Sequence, residues 1–222
     1  KLVGSLNDID LEIEKIKILT EKKREKISKI IKQLDLKGNK IKVREIFETG
    51  SGGTPFTRDR ENYEGGDIPW LTSSEVRDGY LFKSNQFITE KGLNFSSAKI
   101  YPKNTVLIAM YGATAGQVGI LKFDSAINQA ICAVIPTKEY NPDFLYYYLK
   151  EQLDDLLSIR GGVARENLSQ DKIKNFSIPK ISLKNQEEIV KKIKKIESDI
   201  KQSFEKIDNE SKKKQDLIEE LI

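Results

Sequence analysis

Apolar residues at the two ends of the chain recur at steps of three and four, whereas those in the middle follow no such rule. Leu6, Ile9, Ile13, Ile16, Thr20, Lys23, Ile27, Ile30 and Leu34 form one series. Ile189, Ile193, Ile196, Ile200, Ser203, Ile207, Glu210, Lys214, Leu217 and Leu221 form the other. Steps that alternate in this way average about 3.5 residues, the spacing of a coiled-coil seam rather than of a helix lying on a broad core. The pattern predicts one helix from about Asn7 to Leu34, stopped by Gly38-Asn39, and a second over Leu183–Ile222 that no Gly or Pro interrupts. Both seams turn polar midway, at Thr20 and Lys23 and again at Ser203, Glu210 and Lys214. A long solvated helix tolerates polar residues there, and polar seam positions also fix register. If the helices fold back on each other, facing residue numbers sum to roughly 220, which places Lys23 beside Glu197 and Thr20 beside Ile200. The pair would reach about 40–55 Å at 1.5 Å per residue.

Between the helices the signals are short. Lys42–Phe47, Ile68–Leu71, Thr105–Met110, Gln117–Leu121 and Ile131–Ile135 read as strands. Turn chemistry separates them at Gly50-Ser51-Gly52-Gly53, Gly65-Gly66, Asp78-Gly79 and Gly112. Asn141-Pro142 opens a helix, with Asn as N-cap and Pro at the first helical position, and Phe144, Leu145, Tyr148, Leu149 and Leu153 form its buried face. Gly161-Gly162 ends that unit in a loop, and Asn167-Leu168-Ser169 caps one more short helix before an extended Phe176–Ile181. The expected fold is α+β: a globular domain of short strands and helices over 41–183, flanked by long antiparallel coiled-coil-like helices over 1–40 and 184–222.

Composition narrows the chemistry. Apolar residues are 38% and charged residues 32% of 222, which favours a modest core with much solvated surface. Residues 1–40 hold 11 Lys and Arg against 7 Asp and Glu, while 41–183 hold 17 against 17, so the net charge of +4 belongs to the first helix. Charge alone therefore does not mark the middle as a nucleic-acid binder. Six of the seven arginines nevertheless lie there, and the planar guanidinium matches phosphates and guanine edges where lysine acts as a point charge. One cysteine, Cys132, leaves no intramolecular disulfide and no cysteine zinc site, and the lack of histidine removes histidine triads and ligands. No signal peptide and no apolar run near 18 residues are seen, so the expectation is a soluble, cytoplasmic protein with no membrane partner. A first residue of Lys rather than Met fits a trimmed or partial chain.

Motifs for catalysis are weak. Asn141-Pro142-Asp143-Phe144 departs at its third residue from the Asn-Pro-Pro-Phe/Tyr loop of amino-directed DNA methyltransferases, and helix capping accounts for it. Gly50-Ser51-Gly52-Gly53-Thr54 lacks the Lys-Ser/Thr of a phosphate-binding loop. Gly116-Gln117-Val118-Gly119 falls short of a dinucleotide fingerprint. Asp154 and Asp155 face different sides of a helix, and Glu75 and Asp78 flank an arginine in a polar loop, so neither pair argues for acid–base work. Trp70, between Ile68 and Leu71, reads as a core anchor rather than a base-stacking platform, and the tyrosines 146–148 read mainly as packing.

The order of the middle segments is more telling. Gly53-Thr54-Pro55 precedes a charged stretch with Arg58 and Arg60, followed by Gly66-Asp67-Ile68-Pro69-Trp70-Leu71-Thr72-Ser73-Ser74-Glu75 and Phe87-Ile88-Thr89-Glu90-Lys91-Gly92-Leu93. Then come Ile100-Tyr101-Pro102, Thr105-Val106-Leu107-Ile108-Ala109, Gly112-Ala113-Thr114-Ala115-Gly116, Asn128-Gln129-Ala130 and Pro142-Asp143-Phe144-Leu145. Gly161-Gly162, Asn167-Leu168-Ser169, Ile178-Pro179 and Gln186-Glu187-Glu188-Ile189-Val190 close the series. In this order, over about 41–190, the segments resemble the target-recognition domain of type I restriction–modification specificity subunits, and the flanking helices match that family's spacers.

The resemblance implies a DNA-reading subunit without chemistry of its own. A full member carries two recognition domains and two antiparallel spacer helices, whose length sets the gap between the halves of a split site. This chain holds one such domain, so it reads as half a subunit, and two copies as a homodimer would read an interrupted palindrome. The implied partners are duplex DNA, methyltransferase subunits that methylate adenine with S-adenosylmethionine, and a restriction/translocase subunit that uses ATP and Mg. No cofactor or metal is implied for this chain. Base reading needs polar and basic loop residues on a rigid sheet. The candidates are Thr54, Arg58 and Arg60 in the first loop, Thr72, Ser73, Ser74 and Arg77 after Trp70, Tyr111 and Thr114 in the glycine loop, and Arg160 and Arg165 around Gly161-Gly162. Two other readings stand beside this one: the recognition tail of a fused restriction–methyltransferase polypeptide, and a coiled-coil adaptor that binds protein instead of DNA.

Overall fold

The computed structural model describes residues 2–77, 79–152 and 168–219. Leu153, Gly161, Gly162, Asn167, Asp78, Asp154, Asp155 and Leu221, singled out above, lie outside these residues. In chain order the helices are α1 (Leu2–Lys37), α2 (Val43–Ile46), α3 (Glu90–Asn94), α4 (Pro142–Glu151), α5 (Gln170–Asn175) and α6 (Leu183–Glu219). The first strands are β1 (Lys40–Lys42), β2 (Thr49–Ser51), β3 (Ile68–Leu71), β4 (Gly79–Leu81), β5 (Phe87–Ile88) and β6 (Ile100–Tyr101). They are followed by β7 (Val106–Ala109), β8 (Val118–Leu121), β9 (Ser125–Ile127), β10 (Ile131–Val134) and β11 (Ser177–Pro179). Two units separate: Lys1–Leu36 with Glu188–Ile222, and Lys37–Glu187.

In the helical unit most of the seam lies where the repeat puts it, but Ile31 and Val190 are buried where the series has Ile30 and Ile189, which are only half-buried. Ile16, Thr20, Ile27, Val190, Ile193, Ile196 and Ser203 are buried, and the positions a residue away on either side are mostly exposed. The helices are antiparallel, because Lys23 meets Asp199 and Ser203 while Asp10 meets Lys214. Lys23 Nζ donates to the Asp199 carbonyl at 3.0 Å and to Ser203 Oγ at 3.1 Å, and Lys214 Nζ donates to Asp10 Oδ1 at 2.6 Å. The register therefore lies about one helical turn (3.6 residues) beyond the one that sets Lys23 against Glu197. Thr20 donates to its own helix, at the Ile16 carbonyl, at 2.8 Å.

The second unit is built on two sheets. One has five strands in the order β2-β10-β7-β8-β4, antiparallel except for the parallel pair β8–β4. The other has four in the order β5-β3-β9-β6, with β3 and β9 parallel. β1 and β11 form a separate ribbon. β7, β8 and β10 are buried on both faces, which is why they read as unbroken apolar runs rather than as alternation. Leu71, Val76, Leu107, Leu121, Ile127 and Ile131 make the main core, and Ile68, Trp70, Ile88, Ala98 and Ala126 a second cluster.

Lys42–Phe47 corrects the strand expectation. Only Lys40–Lys42 is extended, and the next four residues make a helical turn. Val43, Ile46 and Phe47 have i, i+3, i+4 spacing, and the Glu45 carboxylate accepts from the Lys42 backbone N–H at 2.9 Å, so local capping overrides the β-branched composition. The Asn141 cap is as expected: its Oδ1 accepts from the Phe144 N–H at 3.1 Å, and Phe144 through Leu149 are buried. Within the expected cap segment, Ser169 caps α5, its side chain accepting from the Lys172 N–H at 3.2 Å.

The glycine run 50–53 is a close-packing device. A Cβ on Gly50 would sit 2.1 Å from Tyr101 Oη, one on Gly52 1.7 Å from the Ile127 carbonyl oxygen, and one on Gly53 2.6 Å from the Ser97 backbone. Glycine is needed there so that β2 and its loop can lie against the second sheet. Trp70 is anchored beside it, with Nε1 donating to the Gly53 carbonyl at 3.0 Å and the ring 5% exposed.

Candidate nucleic-acid interface

Strand direction gathers four loops at one edge of the second unit. Because β3 and β9 run parallel, the residues after each emerge together, and the Asn128 N–H donates to the Leu71 carbonyl at 2.9 Å. β10 runs antiparallel to β2 and β7, with Cys132 opposite Ser51 and Ile131 opposite Ala109. The start of β10 thus lies beside the ends of β2 and β7. The loops after β2, β3 and β7 and the turn before β10 consequently form one rim.

Hydrogen bonds hold that rim rigid. The loop after β3 is a 3₁₀ turn over Ser73–Glu75 with Thr72 as its cap. Glu75 is its clamp, because Oε2 accepts from the Thr72 N–H at 3.1 Å and Oε1 from the Asn85 N–H at 2.8 Å. Thr72 Oγ1 lies 2.8 Å from Ser74 Oγ. Thr114 Oγ1 donates to the Ser73 carbonyl at 2.7 Å and so ties the glycine loop to this turn. Gly112 and Gly116, at φ of +85° and +86°, give that loop its left-handed corners. Tyr111 Oη donates to the Gln129 carbonyl at 2.9 Å, and Thr54 Oγ1 donates to Gln129 Oε1 at 2.6 Å.

Thr54, Thr72, Ser73, Ser74, Tyr111 and Thr114 are thereby brought to one rim in two bonded groups, Thr54 and Tyr111 on Gln129 and Thr114 on the Thr72–Ser74 turn, which the Asn128 N–H to Leu71 carbonyl bond sets side by side. Arg77 follows the same 3₁₀ turn, is exposed, and has its carbonyl beside Gly119 at the start of β8. Arg58 and Arg60 are exposed further along the loop that leaves the rim at Thr54, without a bond to the cluster among the described residues. Arg60 pairs instead with Glu64 at 3.5 Å. Arg160 and Arg165 lie outside the described residues.

The arginine loop has its own support. The Asn62 amide donates to the Phe56 carbonyl at 3.0 Å and Tyr63 Oη donates to the Pro55 carbonyl at 2.6 Å. Lys91 of α3 pairs with both Asp59, at 2.9 Å, and Glu61. The hydrogen bond from Lys91 holds the Asp59 carboxyl below the usual carboxylate range, and the same two carboxylates, Glu61 first, hold the Lys91 ammonium above its own.

Gln129 is the residue that the sequence pattern did not single out as a reader, although Asn128-Gln129-Ala130 is part of the family resemblance. No spacing rule marks it, since only the meeting of three loops makes it central. Cys132, beneath the rim, is fully buried, and burial pushes its thiol up to about 12. No group of three or more His, Cys, Asp or Glu side chains among the described residues could hold a metal ion.

Residues 36–210 match the type I restriction modification DNA specificity domain. The chain belongs to that family. It is 34% identical over 175 residues to the type I restriction enzyme MjaIX specificity subunit of Methanocaldococcus jannaschii, covering 77% of this chain and 39% of that one. The HsdS subunit of Thermoanaerobacter tengcongensis shares its fold, with a TM-score of 0.74 at 15% identity over 99% of this chain and 55% of that chain. The type I restriction–modification S subunit of M. genitalium does so with a TM-score of 0.61 at 18% identity, over 59% of that chain. The specificity-domain chain described here thus spans well under two thirds of the proteins it matches. A domain with two sheets, flanked along the chain by an N-terminal and a C-terminal long helix, is the architecture found here. No helix among the described residues is long and apolar enough to cross a membrane.

Proposed function

We propose that residues 41–183 are the target-recognition domain of a type I restriction–modification specificity subunit, with 1–40 and 184–222 as its spacer helices. The observation that carries this reading is the rim: four loops from two sheets, rich in hydroxyl and basic side chains and fixed by their own hydrogen bonds, in a chain of the DNA specificity family. Such loops suit insertion into a major groove, where side chains read base edges while phosphate contacts set the orientation. Thr54, Arg58, Arg60, Thr72, Ser73, Ser74, Arg77, Tyr111 and Thr114 are the described candidates for contact, and Arg160 and Arg165 complete the proposed set.

The chain supplies recognition and no chemistry. Methyltransferase subunits with S-adenosylmethionine would methylate adenine in the site, and a restriction/translocase subunit would use ATP and Mg. One recognition domain reads one half of a bipartite site, and a second copy joined through the helices would read the other. The work takes place in the cytoplasm, where the host DNA is.

Mapping methylated adenines with and without this gene tests the reading. The expected result is a methylated motif of two specific halves around an unspecified gap, lost on deletion. Binding of the motif duplex by the chain with its methyltransferase partner should fall linearly in log affinity with log salt. No change in methylation and no salt-dependent binding would overturn the proposal. Within it, Arg58→Ala or Arg77→Ala should cost about 1–3 kcal/mol at one base pair if the side chain reads a base, and weaken all sequences alike if it holds a phosphate.

A further inference from the structure

At the tip of the turn before β10, the exposed Gln129 is held in place by residues of two other loops. The turn that carries it is pinned at both ends. The Asn128 N–H is bound to the Leu71 carbonyl at the end of β3, and the Met110 N–H donates to the Ala130 carbonyl at 2.8 Å beyond the end of β7. Inside the turn, Asn128 Oδ1 accepts from the Ala130 N–H at 3.0 Å. Gln129 is left at the tip, with Tyr111 Oη donating to its backbone carbonyl and Thr54 Oγ1 donating to its side-chain Oε1.

These bonds decide which groups still have protons to offer. The hydroxyls of Thr54 and Tyr111 each carry one proton, and both protons are directed at Gln129. The amide nitrogen of Gln129 carries two, and it has no acceptor among the described residues. An exposed glutamine ordinarily samples many rotamers and loses that freedom when it binds. In the structure the Thr54 hydroxyl takes Oε1, which leaves Nε2 as the end turned away from Thr54, and the bond orders the side chain before any ligand arrives.

We propose that Gln129 contacts the DNA directly, its Nε2 donating to an acceptor atom of the duplex, and that Thr54 and Tyr111 are positioning residues for it. The acceptor is a base-edge atom in the major groove or a phosphate oxygen, and either is served by the same donor. The inference rests on the DNA-recognition reading above, and it changes the roles of two candidates from readers to supports.

The test uses the full chain with its methyltransferase partner and duplexes that carry the mapped motif. Gln129→Glu is nearly isosteric and can still accept from Thr54, but it has no donor and adds a negative charge. Its affinity should fall at least tenfold, with the melting temperature unchanged. Gln129→Leu should fall by about the same factor or somewhat less. Thr54→Val should lose a few-fold, and in the Gln129→Leu background it should lose nothing further, because its effect runs through the amide. A loss confined to one base pair assigns the acceptor to a base, and a loss equal across motif variants assigns it to a phosphate. Retention of affinity within twofold by Gln129→Glu, or independent, additive losses at positions 54 and 129, would overturn the inference. If the unmodified complex does not bind the mapped duplex at all, the recognition reading fails instead.

Discussion

The helical unit and the sheet unit use polar side chains in opposite ways. In the helical unit a few polar residues occupy an otherwise apolar seam: Thr20 and Ser203 are buried, and Lys23 spans to the carbonyl of Asp199. Thr20 and Ser203 donate within their own helices, while the bonds of Lys23 run between the two helices and define how they align. In the sheet unit the apolar strands are self-sufficient, and polar side chains such as Glu75, Asn62, Asn128 and Trp70 bind loop backbone instead. The first arrangement sets a length, since a seam locked at Lys23 and at Lys214–Asp10 cannot slide. The second sets a surface, since side chains such as Glu75 hold the loop backbone in one shape. The function proposed above, spacing by the helices and reading by the loops, would draw on both.

The difference is sharpest at Gly52, where the sheet unit has no tolerance at all. A Cβ there would sit 1.7 Å from the Ile127 carbonyl, which belongs to another strand and cannot move aside. Gly52→Ala should destabilise the protein by about 3 kcal/mol, the upper range for overpacking. For a chain of this size that is a fall of roughly 6–12 °C in melting temperature. Calorimetry that shows no fall would mean that the two sheets are not pressed together at this loop.

Glu75 separates shape from stability. Its carboxylate joins the Thr72 N–H to the Asn85 N–H, so Glu75→Ala leaves two backbone donors without that partner at a cost of about 1–2 kcal/mol. The expected functional effect is larger than the structural one: relaxed discrimination at the base pairs read from Thr72–Ser74, seen as extra methylated motifs. Unaltered discrimination would place the reading residues elsewhere on the rim.

These two sites also show what could and could not be read from the chain. The long helices were legible because the heptad pattern persists over many turns and needs no knowledge of the partner. β7, β8 and β10 were legible because burial on both faces makes them continuous apolar runs, and β3 because Ile68-Pro69-Trp70-Leu71 is apolar throughout. β2, β4, β5, β6 and β9 were not, since strands of two or three residues such as Thr49-Gly50-Ser51 are too short to show a period. The glycine run was noticed as a motif, yet its reason is the backbone of Ile127, more than seventy residues away. Gln129 escaped for the same cause, because its neighbours Thr54 and Tyr111 are brought to it only by strand order.

Lys23 tests the helical side of the comparison. Lys23→Leu removes a partly buried amine and restores the apolar seam, so stability should stay level or rise by up to about 1 kcal/mol. Alignment should suffer instead, with mixed registers or assemblies detectable by cysteine crosslinking at paired positions and by light scattering. A variant with one crosslinking pattern, the same as the parent's, would show that the apolar contacts alone define the register.

The smallest effect belongs to the clamp between Lys91 and the carboxylates of the arginine loop. Asp59 has its pKa lowered from 3.8 by the Lys91 hydrogen bond, so its contribution to stability is present above that value and is lost as pH falls through the lower, folded-state pKa. Lys91 has its pKa raised from 10.5, chiefly by Glu61, so its contribution is present below that value and is lost as pH rises through the higher one. Between those limits both ends are charged and the loop that carries Arg58 and Arg60 is held. Lys91 and Glu61 are exposed and Asp59 is half-exposed, so Lys91→Met should change the melting temperature little. It should act on the loop: amide exchange at 58–61 should quicken at neutral pH, and the unmodified protein should approach the same exchange behaviour only in acid or strong alkali. Equal protection in both proteins at neutral pH would show that the Asn62 and Tyr63 bonds to the Phe56 and Pro55 carbonyls hold the loop unaided.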